Sequence, residues 1–411
     1  MGNVLAIIGE YNPFHNGHLF HLNKSKELTN SDATILILSG NFVQRGVPAL
    51  IDKWKRTEIA LKNGIDLVVE LPVLYSISSA EDFAMGAISI LNSLNVVDYL
   101  SFGSECGKLE ILDDFANVLS NEPPEFKSLL KHELSKGLSF PKAQENALML
   151  FLNDIRKYSN VLNNPNNILG IEYLKALKSL KSSITPITIP RNSSEHSSKK
   201  SNGKFASGLA IRELIIKNKY DTLFSLLPQT SYEIIIEALR QGEFITDLSV
   251  FEKEIIFILR YMTEQELLNI PLVSEGLEHL IKEAASNCNN LNDLINLIKS
   301  KRYTQTRIQR ILLYSLLGYT KSDFDYIKKN NSYIRILGTT TRGKVLLSQI
   351  SNSNKKLDIV CSMKQFEDKI IKNKQLYSII NKDILSTDVY TLGYLKNSKA
   401  RLDYTKQLIT C

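Results

Sequence analysis

Three of the chain's six histidines fall between residues 15 and 21. They lie in the run Gly9-Glu10-Tyr11-Asn12-Pro13-Phe14-His15-Asn16-Gly17-His18-Leu19-Phe20-His21, whose kernel is His-x-Gly-His. Two imidazoles around a glycine suit phosphate chemistry. Gly17 lets the backbone approach a phosphate and leaves room for a base or ribose above it. His15 and His18 can donate hydrogen bonds to non-bridging phosphate oxygens, where charge shifts during attack on an α-phosphorus. A helix opening at this run adds free N–H groups and the positive end of its dipole. Metal binding is the competing chemistry, since His18 and His21 share a helix face. Zinc wants further ligands, and no cysteine or acidic cluster accompanies these histidines, so no metal site is expected here.

The surrounding pattern tells which elements must hold this loop. Residues 4–8 are a first apolar run, followed by a helical pattern near 17–28. Residues 33–38, 67–70 and 97–102 read as further strands, with helices over 52–63 and 80–94 between them. Asp52 is the expected N-cap of the 52–63 helix, and Gly64 stands just past its end. Strands alternating with helices predict βαβ units and a mostly parallel sheet, with ligands outside the carboxyl ends of its strands. From 105 to 180 the pattern is mainly helical. Residues 184–189 read as a fifth strand, running into a polar loop over 191–204. A helix over 207–217 follows, then helix after helix to about residue 326. The last stretch is mixed, with β-like runs at 333–337 and 357–360. The expected fold class is therefore α/β, with a parallel-sheet domain over 1–218 and a mostly helical domain over 219–411.

Composition narrows the classes. In 411 residues, 43% hydrophobic and 23% charged is an ordinary globular balance, which excludes a disordered or fibrous chain. No apolar run approaches the ~18 residues of a membrane span. The start, Met1-Gly2-Asn3-Val4, lacks the basic region of a secretory signal. Four cysteines without paired spacing point to a reducing cytoplasm. A net charge of +7 permits a polyanionic partner without requiring one.

Other candidates sit where strands end. Arg45 is the one cation in the loop 39–48. Gly103, after the fourth strand, suits close approach of a ligand. The amides Asn163, Asn164, Asn166 and Asn167 crowd a helix start, and capping explains only one of them. Arg191 follows the fifth strand, where a cation faces bound phosphates. Ser207 opens a helix that carries Arg212, a second candidate phosphate-binding helix end. In the helical half, Lys299, Lys301, Arg302, Arg307 and Arg310 surround Tyr303, and Arg307 and Arg310 share a face. They are either a solvated basic face or a contact for a phosphate backbone.

The His-x-Gly-His loop resembles that of the nucleotidyltransferase superfamily that includes class I aminoacyl-tRNA synthetases. Longer strings are more specific: Glu10-Tyr-Asn-Pro-Phe-His-Asn-Gly-His18, Ser39-Gly-Asn-Phe-Val-Gln-Arg-Gly46, Asp66-Leu-Val-Val-Glu-Leu-Pro72, Phe102-Gly-Ser-Glu105, Pro165-Asn-Asn-Ile-Leu-Gly170 and Lys301-Arg-Tyr-Thr304 through Arg310. Together they resemble the bacterial tRNA(Met) cytidine acetate ligase family. The resemblance implies a Rossmann-like nucleotidyltransferase domain followed by a tRNA-binding one. It implies acetylation of the wobble cytidine of elongator tRNA(Met) to N4-acetylcytidine, from free acetate and ATP, through an acetyl-adenylate. It also implies Mg²⁺ on the phosphates and catalytic roles for His15 and His18. ATP would be bound by Ile7, Ile8, Gly9, Glu10, Tyr11, Asn12, Pro13, Phe14, His15, Asn16, Gly17, His18, Leu19, Phe20, Gly103, one of Asn166 and Asn167, and Arg191, with Ser207 at the second helix end. The helical half, with Arg302, Arg307 and Arg310, would meet the tRNA. Two segments depart from the family pattern: the stretch through His196-Ser197 lacks an acidic partner for the histidine, and Ser207-Gly208-Leu209 stands for a Ser-Ala-Thr-like motif. The alternative is a small-molecule nucleotidyltransferase moving AMP or CMP onto a phosphorylated substrate, without need of RNA. A third possibility is a non-catalytic nucleotide-responsive RNA binder. No Lys-Met-Ser-Lys-Ser-type loop supports a synthetase.

Overall fold

Unbroken apolar runs make buried parallel strands, because both faces of such a sheet are covered. Three such strands lie side by side: β1 (Asn3–Gly9), β2 (Ser31–Ser39) and, after the short antiparallel β3 (Phe42–Val43) and β4 (Val47–Pro48), β5 (Leu67–Leu71). The sheet continues with β6 (Tyr99–Ser104) and β7 (Thr185–Pro190) on the other side of β1. Then β8 (Tyr333–Thr339), β9 (Asp358–Val360) and β10 (Ile409–Thr410) join its far edge. The order is β10-β8-β5-β2-β1-β6-β7, with β9 beside β8, and among the described residues of this sheet only the β5–β8 pairing is antiparallel. The computed structural model describes residues 2–191, 205–330, 333–353, 358–370 and 373–411.

Alternation along the strands divides the core in two. Leu5, Ile7, Leu36, Leu38 and Val68 face the helices Asn16–Thr29, Lys53–Lys62 and Gly208–Ile216, meeting Leu22, Ile59, Ile211 and Ile215. Val4, Ala6, Ile35, Ile37, Leu67 and Val69 face the helices Ala80–Leu94 and Pro165–Ser179 on the other side. The chain builds outward from β1 through β2 to β5, then returns to place β6 on β1's opposite flank. The crevice between the carboxyl ends of β1 and β6 is therefore the topological switch point, where such sheets bind ligands.

The expected elements are present with shifted ends. Asp52 caps the helix Lys53–Lys62 by accepting the Lys55 N–H at 2.8 Å, and Ser207 caps Gly208–Ile216. The fourth strand starts at Tyr99 rather than at residue 97. Asp98 instead fastens the start of β1: its carboxylate accepts the Val4 N–H at 2.7 Å and its own N–H donates to the Val4 carbonyl at 3.0 Å. Within 39–48, read from sequence as a loop, lies the β3–β4 hairpin with Arg45 exposed at its tip. The β-like runs expected at 333–337 and 357–360 are β8 and β9, and they return to the first sheet, with residue 357 outside the described residues.

Buried charges fasten that return. Lys53 Nζ lies 2.8 Å from both Glu70 Oε1 and Asp403 Oδ1, and the Arg335 guanidinium contacts both carboxylates as well. Two cations and two anions balance in a region closed to water. Taking away one member strands the others, at about 3–5 kcal/mol. Asp403→Ala is expected to lower unfolding stability by about that much, read as a shift of the urea midpoint; Thr405→Ala, at an exposed site on the same short helix, is expected to shift it by under about 0.5 kcal/mol.

Candidate active site

The helix Asn16–Thr29 opens at the carboxyl end of β1, and its N-cap is His15. An imidazole replaces the usual hydroxyl or carboxylate cap. His15 Nδ1 accepts the Gly17 N–H at 3.0 Å, and His18 Nδ1 reaches back to accept the His15 N–H at 3.3 Å. The two rings stack with centroids 3.8 Å apart. A nitrogen that accepts a backbone N–H carries no proton, so each neutral ring holds its proton on Nε2. The cap thus fixes the tautomer of both histidines and makes each Nε2–H a donor. His21 behaves differently. It sits beside the Ser101 hydroxyl at 3.2 Å, and burial, aided by Arg191, pulls its pKa down to about 4.

The rest of the 7–20 run builds the loop. Ile7, Tyr11 and Phe14 point into the core, and Leu19 packs against it. Ile8 packs on the opposite core. Asn12 Oδ1 accepts the Leu50 N–H at 2.8 Å, and Asn16 donates to the Ser225 carbonyl at 2.9 Å. Phe20 is exposed and meets Phe205 edge-on. These side chains leave mainly backbone, with Gly9 and Gly17, to meet a ligand. The Tyr11 and Ser39 hydroxyls are buried here without a hydrogen-bond partner among the described residues, as at surfaces that bind water or ligand.

Glu10 is the loop's carboxylate. One oxygen accepts the Gln44 N–H at 2.8 Å. Burial pushes its pKa up, opposed by the Gln44 N–H and by Arg45, Arg212 and Arg56. Sequence reading placed Glu10 in the loop but could not see this ring of guanidiniums. Nor could it see Arg56, fully buried, which donates to the carbonyls of Glu10, Ser39, Gly40 and Ile51. Helix periodicity gives Arg56 no mark distinguishing it from Lys55.

The wall across the crevice is made by β6, β7 and the helix Pro165–Ser179. A Cβ at Gly103 would lie 2.9 Å from Arg191 Cδ, so this glycine makes room for the Arg191 stem. Arg191 Nη1 donates to Asn166 Oδ1 at 3.4 Å. Glu105 organises the helix start: its carboxylate accepts the Asn166 side-chain amide at 2.6 Å and the Asn167 N–H at 2.9 Å. Asn167 is buried, with its side chain tied to the Cys106 N–H and the Val161 carbonyl. Of the two amides, Asn166 is the one joined to Arg191. Glu105 appeared in sequence only as the end of a matched string. Asn163 is exposed, and Asn164 is the N-cap residue without a side-chain cap bond. The Ser207 hydroxyl accepts the Ala210 N–H at 3.2 Å, while Arg212 crosses to the Asn12 carbonyl at 2.7 Å. The loop containing His196 lies outside the described residues.

The arginines of the helical half do not form one open face. Arg302 is exposed and pairs with Glu275. Arg307 donates to the Leu272 carbonyl at 2.8 Å, and Arg310 to the Gln44 carbonyl at 2.8 Å, beside the site. Among the described residues no group of three or more His, Cys, Asp or Glu side chains is placed to hold a metal ion. None of their helices is long and apolar enough to cross a membrane.

A switch-point crevice with a histidine-capped helix on one wall and arginines on both defines a nucleotidyltransferase-type α/β fold. A family model described as HIGH Nucleotidyl Transferase matches residues 2–405. A relative from Caldanaerobacter subterraneus subsp. tengcongensis, named tRNA(Met) cytidine acetate ligase, is 45% identical over 406 residues, covering 99% of both chains. One of the same name from Acetivibrio thermocellus is 41% identical, again covering 99% of both. The crystal structure of Thermotoga maritima TmcAL bound with alpha-thio ATP superposes with a TM-score of 0.90 at 34% identity, covering 100% of this chain and 99% of that one. The chain belongs to the tRNA(Met) cytidine acetate ligase family within the HIGH nucleotidyltransferases.

The cap can be separated from the chemistry. His15→Ala removes the acceptor for the Gly17 N–H and is expected to destabilise the fold by about 0.5–2 kcal/mol in denaturant titrations. His15→Asn, which keeps a capping oxygen, is expected to recover most of that loss without restoring an Nε2–H donor.

Proposed function

We propose that this protein is an ATP-dependent ligase that acetylates the wobble cytidine of elongator tRNA(Met), forming N4-acetylcytidine from free acetate through an acetyl-adenylate. The observation that carries the reading is the pair of histidines held as Nε2–H donors at a helix N-terminus, in a chain matching relatives of that name from end to end. An acetate oxygen attacks the α-phosphorus of ATP and pyrophosphate leaves. The Nε2–H groups of His15 and His18 stabilise charge on the non-bridging oxygens as phosphorus becomes pentavalent. Arg191, in contact with Asn166, and Arg212, on the Asn12 carbonyl, would offset charge on the phosphates. The cytidine amine then attacks the acetyl carbonyl and AMP departs.

Several parts of this reading go together. Residues 1–218 carry ATP and residues 219–411 the tRNA, with Arg302 more exposed than Arg307 and Arg310. An anticodon loop already presents its cytidine unpaired, so no duplex has to be opened. Mg²⁺ would arrive on the nucleotide's phosphates, keeping several of its waters. The enzyme would work in the cytoplasm with its tRNA.

The deciding assay is transfer of radiolabelled acetate into bulk unmodified tRNA. Label is expected only with ATP, and nucleoside mass spectrometry is expected to place it on cytidine. Absence of label, together with pyrophosphate release on a phosphorylated small molecule, would establish the small-molecule nucleotidyltransferase instead. His18→Ala is expected to bind tRNA normally while acetate-dependent pyrophosphate release falls about 10²–10³-fold. Gly103→Ala drives a methyl into the Arg191 stem. It is expected to raise the KM for ATP roughly tenfold, the size of one charged hydrogen bond, with kcat little changed.

A further inference from the structure

Resting on the proposed acetyl transfer, the second step raises a question of its own. The lone pair of a cytidine amine is delocalised into the ring, so the amine is a weak nucleophile. It must lose a proton as its bond to the acetyl carbon forms, and that proton needs an acceptor.

The histidines are excluded by their own geometry. In both His15 and His18 the Nδ1 lone pair is occupied by a backbone N–H, and the proton sits on Nε2. His21 faces the Ser101 hydroxyl and is a weak base. Both oxygens of Glu105 receive N–H groups of Asn166 and Asn167. Asp52 caps its helix and pairs with Lys55, and Glu70 belongs to the buried ion quartet. Tyr11 is held protonated by burial.

We propose that Glu10 is the proton acceptor of the acetyl-transfer step. It follows β1 directly, five residues before His15, with one carboxylate oxygen fixed by the Gln44 N–H at 2.8 Å and its own carbonyl held by Arg56 at 2.8 Å. The amine nitrogen attacks the acetyl carbon while its proton passes to the Glu10 carboxylate. The bond from that carbon to the adenylate phosphate oxygen breaks, and AMP leaves with the electron pair. Glu10 then returns its proton to water. The charged and titratable groups facing it are Arg45, Arg56 and Arg212, with Arg310 from the helical half and the Tyr173 hydroxyl. Burial makes this carboxylate a stronger base than an exposed one, and the guanidiniums favour its ionised form. A rising proton concentration silences it, so transfer falls on the acid side, at a pH above that of an ordinary glutamate.

Glu10→Gln tests this, because the amide oxygen still accepts the Gln44 N–H. Two steps are measured apart: acetate-dependent ATP–pyrophosphate exchange, and single-turnover transfer from preformed acetyl-adenylate to tRNA. Transfer is expected to fall roughly 10²–10⁴-fold and to lose its acid limb, a loss at least tenfold greater than that in exchange. Glu10→Asp is expected to restore part of the rate and the limb. Transfer at the wild-type rate would assign the proton to the departing phosphate and overturn the proposal. So would parallel loss of both steps, the sign of a purely structural Glu10. If the wild-type chain itself shows no acetate-dependent exchange or no label in tRNA, the underlying function fails first and the proposal with it.

Discussion

Where β1 and β2 part at their carboxyl ends, their carbonyls lose the ladder that paired them, in a region closed to water. Buried carbonyls left this way destabilise a fold by about 1–3 kcal/mol each. The Arg56 guanidinium answers three of them, Nη1 to Glu10 at 2.8 Å and to Ser39 at 3.0 Å and Nη2 to Gly40, and its Nε donates to the Ile51 carbonyl ahead of its own helix at 3.0 Å. Only a planar fork with five donors reaches so many acceptors at once; an ammonium with three cannot. The separation of the two loops is set there. The first loop, so anchored, delivers Glu10 to one side of the crevice and His15 to the start of the helix.

At that helix start, one local rule decides chemistry. Free N–H groups at a helix N-terminus must be capped, and here the caps are imidazole nitrogens rather than side-chain oxygens. The cap needs an unprotonated Nδ1, which forces the proton to Nε2. Folding and function therefore ask for the same tautomer. Stacking at 3.8 Å reinforces this, since two imidazolium rings at that distance would repel. A residue type usually called on as a base is thereby turned into a fixed donor. Proton removal falls to another group.

What the sequence could show follows from how local each feature is. The strands β1, β2, β5, β6 and β7 were legible because buried parallel strands are continuous apolar runs, and the caps Asp52 and Ser207 because their chemistry is local; the β3–β4 hairpin, two residues a side, was read as loop. The His-x-Gly-His loop was legible by type, spacing and place after a strand. The edge chosen by β8 was not: its partner β5 lies more than 260 residues earlier, and the antiparallel pairing leaves no periodic trace in either strand. Lys53, Glu70, Arg335 and Asp403 each look like ordinary surface charges until the fold brings them together. The amide cluster was noticed, but which amide faces the cation depends on Glu105 and on the depth of Asn167, and neither is a property of the run itself.

The same distance in sequence explains how the helical half bears on the site. Gln44 offers its N–H to Glu10 and its carbonyl to Arg310, so one residue's peptide groups join the first loop to the helix Gln305–Leu316. Two residues on, Gly46 takes a positive φ, and a Cβ there would lie 2.6 Å from the Arg310 nitrogen. The β3–β4 hairpin is thus wedged between the first loop and the helical half. Its position cannot change without moving a hydrogen bond on each side. A polyanion bound near Arg310 would alter the field at Glu10 directly, because that guanidinium already faces the carboxylate. Drawing the cation toward a phosphate weakens the pull that favours the ionised acid. The charge around the first loop is thus shared with a guanidinium of the helical half, held beside it through Gln44.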